Sequence, residues 1–206
     1  MPPSYIIIHH THLFKKYIQL MNMTEIKDRP DWDRLFMSMA IDMATRSSCR
    51  YIDAGALVVK DKRIISDGYN GAPPGDRENC LYTGCRKDEL GISQETKGKG
   101  KCRGTHAEMN ALHYAGRDSI GATLYTVILP CSSCAKHAAA GQIARIVYAI
   151  EYKEQRNGMD ETEGDVTRGI CRRAGIELEH LAMEEEIKTQ NQRRQNVIEN
   201  NFRTKK

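Results

Sequence analysis

The stretch TLYTVILPCSSCAKHAAAGQIARIVYAI, residues 123–150, decides the fold. Thr123 to Leu129 is an apolar, β-branched run of strand length, closed by Pro130. Cys131 to Ala140 is alanine-rich and suits a helix, with Gly141 as its stop. Ile146 to Ile150 is a second strand-length run. Strands alternating with helices predict an α/β domain, a single sheet with helices packed on its faces.

The same alternation continues outward. His106 to Tyr114 suits a helix, with Gly116 past its end. Val166 to Ala174 suits another, with Gly175 after it, and Ile176 to Leu178 a last strand. Upstream, Ala56–Val59 and Ile64–Ile65 flank the polar turn Lys60-Asp61-Lys62, which reads as a hairpin ending before Gly68. Asn70 to Gly75 then punctuates the chain. A first helix opens with Asp31 as N-cap. It carries Trp32, Leu35, Phe36, Met39 and Met43 at helical spacing and ends near Ser47 and Ser48. The polar region Asp76–Gly104 holds Cys80, Cys85 and Cys102, and a loop of that length is functional or held by something. The chain thus divides into a weakly ordered extension over 1–28 that includes His9, His10 and His12, a domain over 29–181, and a polar tail over 182–206 expected as a frayed helix or disorder.

With 206 residues, 40% hydrophobic and 28% charged, one soluble globular domain is expected. The net charge of +4 suits a nucleotide as well as a polymer. No stretch approaches the roughly 20 apolar residues of a membrane span. Tyr5–Ile8 is too short for one and lacks the marks of a secretory signal, so a cytoplasmic protein is expected. The seven cysteines, an odd number in such a chain, point to metal binding or catalysis rather than disulfides.

The chemistry concentrates in His106-Ala107-Glu108 and Pro130-Cys131-Ser132-Ser133-Cys134. A lone C-x-x-C is weak, since structural zinc sites and redox pairs share it. Joined to H-x-E, with each half opening a helix, it is the mark of the zinc deaminases. His106, Cys131 and Cys134 supply three zinc ligands and leave the fourth position open for water, as a catalytic zinc requires. A helix N-terminus favours the thiolates. Glu108 is not needed as a ligand. Its expected role is to take a proton from the water the metal activates and pass it to the ring nitrogen, then to the leaving ammonia. The competing reading is a closed structural zinc site with Glu108 as an ordinary helix-start carboxylate.

These residues resemble the cytidine and deoxycytidylate deaminase superfamily, and within it the deoxycytidylate (dCMP) deaminases. The resemblance runs from about Arg29 to Leu181. It is carried also by Arg29-Pro30-Asp31-Trp32, Ala44-Thr45-Arg46-Ser47-Ser48-Cys49, Gly68-Tyr69-Asn70-Gly71-Ala72-Pro73, the approach Cys102-Arg103-Gly104-Thr105 to His106, and Gly121-Ala122-Thr123-Leu124-Tyr125. Ala54 before Gly55-Ala56 departs from relatives that have Val there. The resemblance implies a three-layer α/β/α fold with a five-stranded mixed sheet, a homo-oligomer (hexamer or smaller), and zinc-dependent hydrolysis of dCMP to dUMP and ammonia for thymidylate synthesis. It also carries dCTP and dTTP as activating and inhibiting effectors.

For the substrate, the resemblance points to Arg46 and Ser47 at the phosphate, against a helix end with a dipole-complementing Arg. Asn70 is expected on sugar or base, against ordinary Asn-Gly turn chemistry. Asn110 is expected to face the pocket, and Tyr152 to stack on or close over the nucleotide. Some dCMP deaminases carry a second, structural zinc near the long insertion, and Cys49, Cys80, Cys85 and Cys102 would close such a site; the alternative is free thiols. Cys171 reads as core. A polynucleotide deaminase acting on tRNA or single-stranded DNA would need a basic groove and aromatics for stacked bases, and here the net charge is modest and the aromatics few, so nucleic acid is not the expected partner. A zinc-stabilised regulatory module without activity would have no need of Glu108.

Overall fold

The computed structural model describes residues 29–73, 75, 80–92, 102–151 and 162–192. The chain divides after Asp31, and the account below concerns Trp32 onward. His9, His10, His12 and Tyr152 lie outside the described residues.

Five strands form one mixed sheet in the order β2-β1-β3-β4-β5. They are β1 (Gly55–Lys60), β2 (Arg63–Tyr69), β3 (Thr123–Ile128), β4 (Arg145–Ile150) and β5 (Glu177–His180). β1 runs antiparallel to β2 and to β3, while β3, β4 and β5 are mutually parallel. The hairpin turn is the dipeptide Asp61-Lys62, both at positive φ (50° and 59°), the twist a two-residue hairpin loop needs.

Alternation along the strands splits the core in two. Ala56, Val58, Leu124 and Ile146 face helices α4 (Ala107–Ala115), α5 (Ser132–Ala140) and α6 (Glu163–Ala174), meeting Ala107, Ala111, Ala135, Ala138 and Cys171. Leu57, Val59, Tyr125, Val127, Val147 and Ala149 face α1 (Trp32–Ala44). This is the three-layer arrangement expected.

The inner face of α1 departs from the sequence reading. Phe36, Met37, Ala40, Ile41 and Ala44 are buried, whereas Trp32, Leu35 and Met39 point outward. The cause is close backbone packing: a Cβ on Gly55 would lie 2.0 Å from the Ala40 carbonyl oxygen and 2.6 Å from the Ala44 nitrogen. Only the face with small residues can approach the strand so closely. α1 also ends at Ala44, before Ser47. Thr45, Arg46 and Ser47 continue it as a tight turn, each N–H donating to the carbonyl three residues back.

Two single-turn helices, α2 (Cys80–Thr83) and α3 (Arg86–Glu89), interrupt the region expected as loop. Beyond Leu181, Met183 is fully buried in the α1-side core, and a helix over 184–192 packs Ile187 against it. Arg34 pairs with Glu186 at 2.6 Å, tying this helix to α1.

Candidate active site

Two helices begin close together, and each is preceded by a residue with a metal-binding side chain. His106 stands in extended conformation at the N-cap of α4 and Cys131 does the same at α5. Neither side chain caps its own helix, so both are available to a metal. The supports around them are specific. Gly71 and Thr105 exchange backbone hydrogen bonds at 3.1 and 2.7 Å, fixing the residue before His106. The Leu129 N–H donates to the Ile150 carbonyl at 2.9 Å, and the Thr167 hydroxyl donates to the Pro130 carbonyl at 2.8 Å, fixing the approach to Cys131.

The His106 Nδ1 atom lies 3.5 Å from the Cys131 sulfur and 3.4 Å from the Cys134 sulfur. Nitrogen and sulfur ligands of one tetrahedral zinc stand about 3.5 Å apart, given bond lengths of roughly 2.0 and 2.3 Å. The donor set therefore fits zinc, with room for a fourth ligand. Among the described residues this is the group whose ligand atoms gather within 4.8 Å of one another.

The electrostatics of the centre follow from proximity. The Cys131 thiol is held well below its usual range, first by the Cys134 thiol donating to it and then by His106, against the cost of burial. Cys134 shifts the opposite way because it donates that proton and is itself buried. Glu108, on the first turn of α4, is buried, and burial raises its carboxyl above the ordinary range, against the pull of His106.

A cavity of about 140 Å³ opens beside this group. His106, Glu108, Thr105, Asn70, Tyr51 and Lys87 line it, as do Cys49, Cys80, Cys85 and Cys102. Cys131 and Cys134 are not among the lining residues.

The residues expected at the substrate are distributed unevenly. Asn70 lines the cavity, and its amide also clasps the loop: Oδ1 accepts from the Ala54 N–H at 2.9 Å and Nδ2 donates to the Ile52 carbonyl at 2.8 Å. Arg46 is exposed and outside the lining, because α1 stops before it and the turn carries it outward. Ser47 is buried, with its hydroxyl donating to the Ile52 carbonyl and accepting from the Cys49 N–H. Asn110 donates to the Tyr69 carbonyl at 2.8 Å and is likewise outside the lining. Cys49, after α1, and the insertion's Cys80, Cys85 and Cys102 line one cavity. The Cys80 thiol is raised by burial and by the nearby Cys49, Cys85 and Cys102, but the four sulfurs are not gathered as tightly as the His106 group. Tyr51 and Lys87 are lining residues that sequence reasoning did not single out, and Ser48, named only as a helix end and in the resemblance, lines the cavity too. A Cβ on Gly71 would meet the Ser48 hydroxyl at 2.5 Å.

A family model described as the cytidine and deoxycytidylate deaminase zinc-binding region matches residues 30–150, which include every residue of the centre. The chain belongs to this family. It is a hydrolytic deaminase with a zinc-binding site. The deaminase is 44% identical to the deoxycytidylate deaminase of Mycobacterium phage D29 over 60% of this chain and 98% of that one. It is 36% identical to the deoxycytidylate deaminase of Saccharomyces cerevisiae over 77% of this chain, and the match spans 47% of the yeast protein. Its fold resembles the dCMP deaminase of cyanophage S-TIM5, solved in complex with dCMP and dUMP, with a TM-score of 0.57, 26% identity, and coverage of 74% of this chain and 98% of that one.

Proposed function

We propose that this deaminase hydrolyses dCMP to dUMP and ammonia at the His106–Cys131–Cys134 centre, with Glu108 as the proton carrier. The observation that carries the reading is the buried Glu108 carboxyl, two residues past His106 on the first turn of α4 and lining the cavity with it. The identity to the phage D29 enzyme and the likeness to the S-TIM5 enzyme that binds dCMP and dUMP support the substrate.

His106, Cys131 and Cys134 would hold the zinc. When bound, zinc acidifies a water molecule and makes it a nucleophile at neutral pH. Water adds across the C4–N3 bond of the cytosine: its oxygen bonds to C4 and Glu108 carries its proton to N3. The new C4 hydroxyl then loses its proton through Glu108 to the amino group, the C4–N bond breaks, and ammonia leaves. A buried carboxyl suits both steps, since it must act first as base and then as acid.

The reading extends to a structural zinc on Cys49, Cys80, Cys85 and Cys102. Its support is that four cysteines from three segments line one cavity, with the Tyr51 and Gly104 N–H groups donating to the Cys49 and Cys102 sulfurs. Asn70 is assigned to the nucleotide as well as to its loop, while Arg46, Ser47, Asn110 and Tyr152 remain candidates from the resemblance alone. The resemblance likewise carries a homo-oligomer that responds to dCTP and dTTP, and the reading of Tyr5–Ile8 as neither span nor signal carries a cytoplasmic location. No helix among the described residues is long and apolar enough to cross a membrane.

The test is ammonia release by zinc-loaded protein from dCMP, dCTP, deoxycytidine and adenosine-containing tRNA, each alone. Release from dCMP supports the proposal. Release only from dCTP or tRNA moves the substrate, and none from any of them overturns the enzyme.

A further inference from the structure

The two ligand-bearing helices are held in different ways. Ahead of His106, Gly71 and Thr105 exchange backbone hydrogen bonds, which need no side chain. Around Cys131 the supports are side chains, and both come from α6. The Thr167 hydroxyl donates to the Pro130 carbonyl at 2.8 Å, and the Glu163 carboxylate accepts from the Ser132 N–H at 2.6 Å. That carbonyl and that N–H belong to the two peptide groups that flank Cys131. With both peptide planes fixed, the direction of the Cys131 Cα–Cβ bond is fixed too, and with it where the sulfur can reach.

α6 is built to hold this grip. Glu163 and Thr167 are four residues apart and share a helix face. Gly164 beside them is buried, and a Cβ there would lie 3.4 Å from the Leu129 Cδ2, so the helix rests against the residue that follows β3. The Thr162–Asp165 capping box sets the start of the helix. At its other end the Ile176 N–H donates to the Cys171 carbonyl at 2.9 Å, and Cys171 is packed in the core. Thr167 itself is fully buried. A valine would fill that place with the same shape and no polar atom to satisfy, so the hydroxyl is explained by the carbonyl it serves.

We infer that Thr167 is a positioning residue of the metal centre: with Glu163 it clamps both peptide groups of Cys131 and so presets the sulfur for zinc. The inference rests on the reading of His106, Cys131 and Cys134 as zinc ligands. It does not depend on which nucleotide is the substrate. Thr167 touches neither metal nor substrate, and its effect passes through the backbone of Cys131.

The experiment measures zinc retained by the full chain across a series of chelator-buffered free-zinc levels. The wild type is compared with Thr167→Val, Thr167→Ala, Thr167→Ser and Cys131→Ser, and circular dichroism checks that each is folded. Cys131→Ser marks the step of zinc loss that belongs to this centre. In Thr167→Val that step should move to free zinc about 10–100-fold higher, the usual effect of losing an outer partner of a metal ligand. Thr167→Ala also lacks the hydroxyl and should behave alike, so the test stands even where the valine variant does not fold. Thr167→Ser keeps the hydroxyl and should stay within about threefold of the wild type. Thr167→Val combined with Glu163→Ala should lose less than the product of the two single losses, because both act on one residue.

Unchanged zinc retention without the hydroxyl would overturn the assignment. An equal loss in Thr167→Ser would trace the effect to packing of the methyl group and overturn it as well. Losses that multiply in full would make the two side chains independent supports and reject the clamp. If Cys131→Ser removes no step of zinc loss, the metal reading beneath the inference falls, and the assignment falls with it.

Discussion

The carboxylate of Glu163 accepts the backbone N–H of Ser132 at 2.6 Å, so the first residue of α6 caps the first residue of α5. The helix that carries the zinc-binding cysteines is therefore anchored from outside. Thr162 holds the capping helix in turn through a reciprocal bond pair with Asp165. Glu163→Ala is expected to weaken zinc affinity and kcat together by roughly tenfold, as loss of an outer partner of a metal site does. Glu163→Gln, which keeps an acceptor, should fall between it and the wild type. Competition titration against a zinc chelator checks this.

Gly68 plays the corresponding part for α4. A Cβ there would lie 2.3 Å from the Ala107 carbonyl oxygen and 2.6 Å from the Ala111 nitrogen, both backbone atoms. Gly68→Ala must push α4, with Glu108 on its first turn, off the sheet. Overpacking of this kind costs about 1–3 kcal/mol or more. Denaturant unfolding should show that loss, and kcat should fall although no group at the site has been removed.

The sequence reading and the structure agree where a pattern fixes both type and position. His106, Glu108, Cys131 and Cys134 were legible because each motif opens a helix at the end of a loop or strand, which leaves few ways to arrange them. The five strands were legible from short apolar runs bounded by turns. The α1 face was misread because periodicity ranks large residues above alanine, and only the approach to Gly55 shows that the small face is the inner one. Arg46 and Ser47 lie past the end of α1, on a turn whose direction a residue type does not give. Lys87, which lines the cavity, lies in the polar region Asp76–Gly104 that the sequence shows only as one long loop.

Asp33 links α1 to the sheet. Arg145 donates to both of its oxygens at 2.9 and 2.7 Å, and the Tyr125 hydroxyl donates to one of them. Arg145, ahead of Tyr125 in effect, holds the Asp33 carboxyl below its ordinary value. The folded value lies below the unfolded value of about 3.9, so the stabilisation is fully present above that pH and is lost as pH falls through the folded value. Asp33→Asn should therefore destabilise the protein by about 1–3 kcal/mol at neutral pH and flatten its stability below about pH 4. Urea unfolding from pH 7 to pH 3 tests both effects.

The cysteine-lined cavity predicts two zinc ions per chain, one on each ligand set. Cys80→Ser should reduce zinc content to one and lower activity, because the same insertion walls the cavity. Metal analysis of exhaustively dialysed protein decides this. One zinc in the wild type would reject the second site and leave the first standing.

The most direct test of the account is Glu108→Gln, assayed on dCMP with zinc content measured in the same sample. The account predicts retained zinc and fold with turnover lower by on the order of 10²–10⁴-fold, the usual contribution of a general acid–base group. Unchanged turnover with zinc in place would contradict it, since the proton would then travel without Glu108.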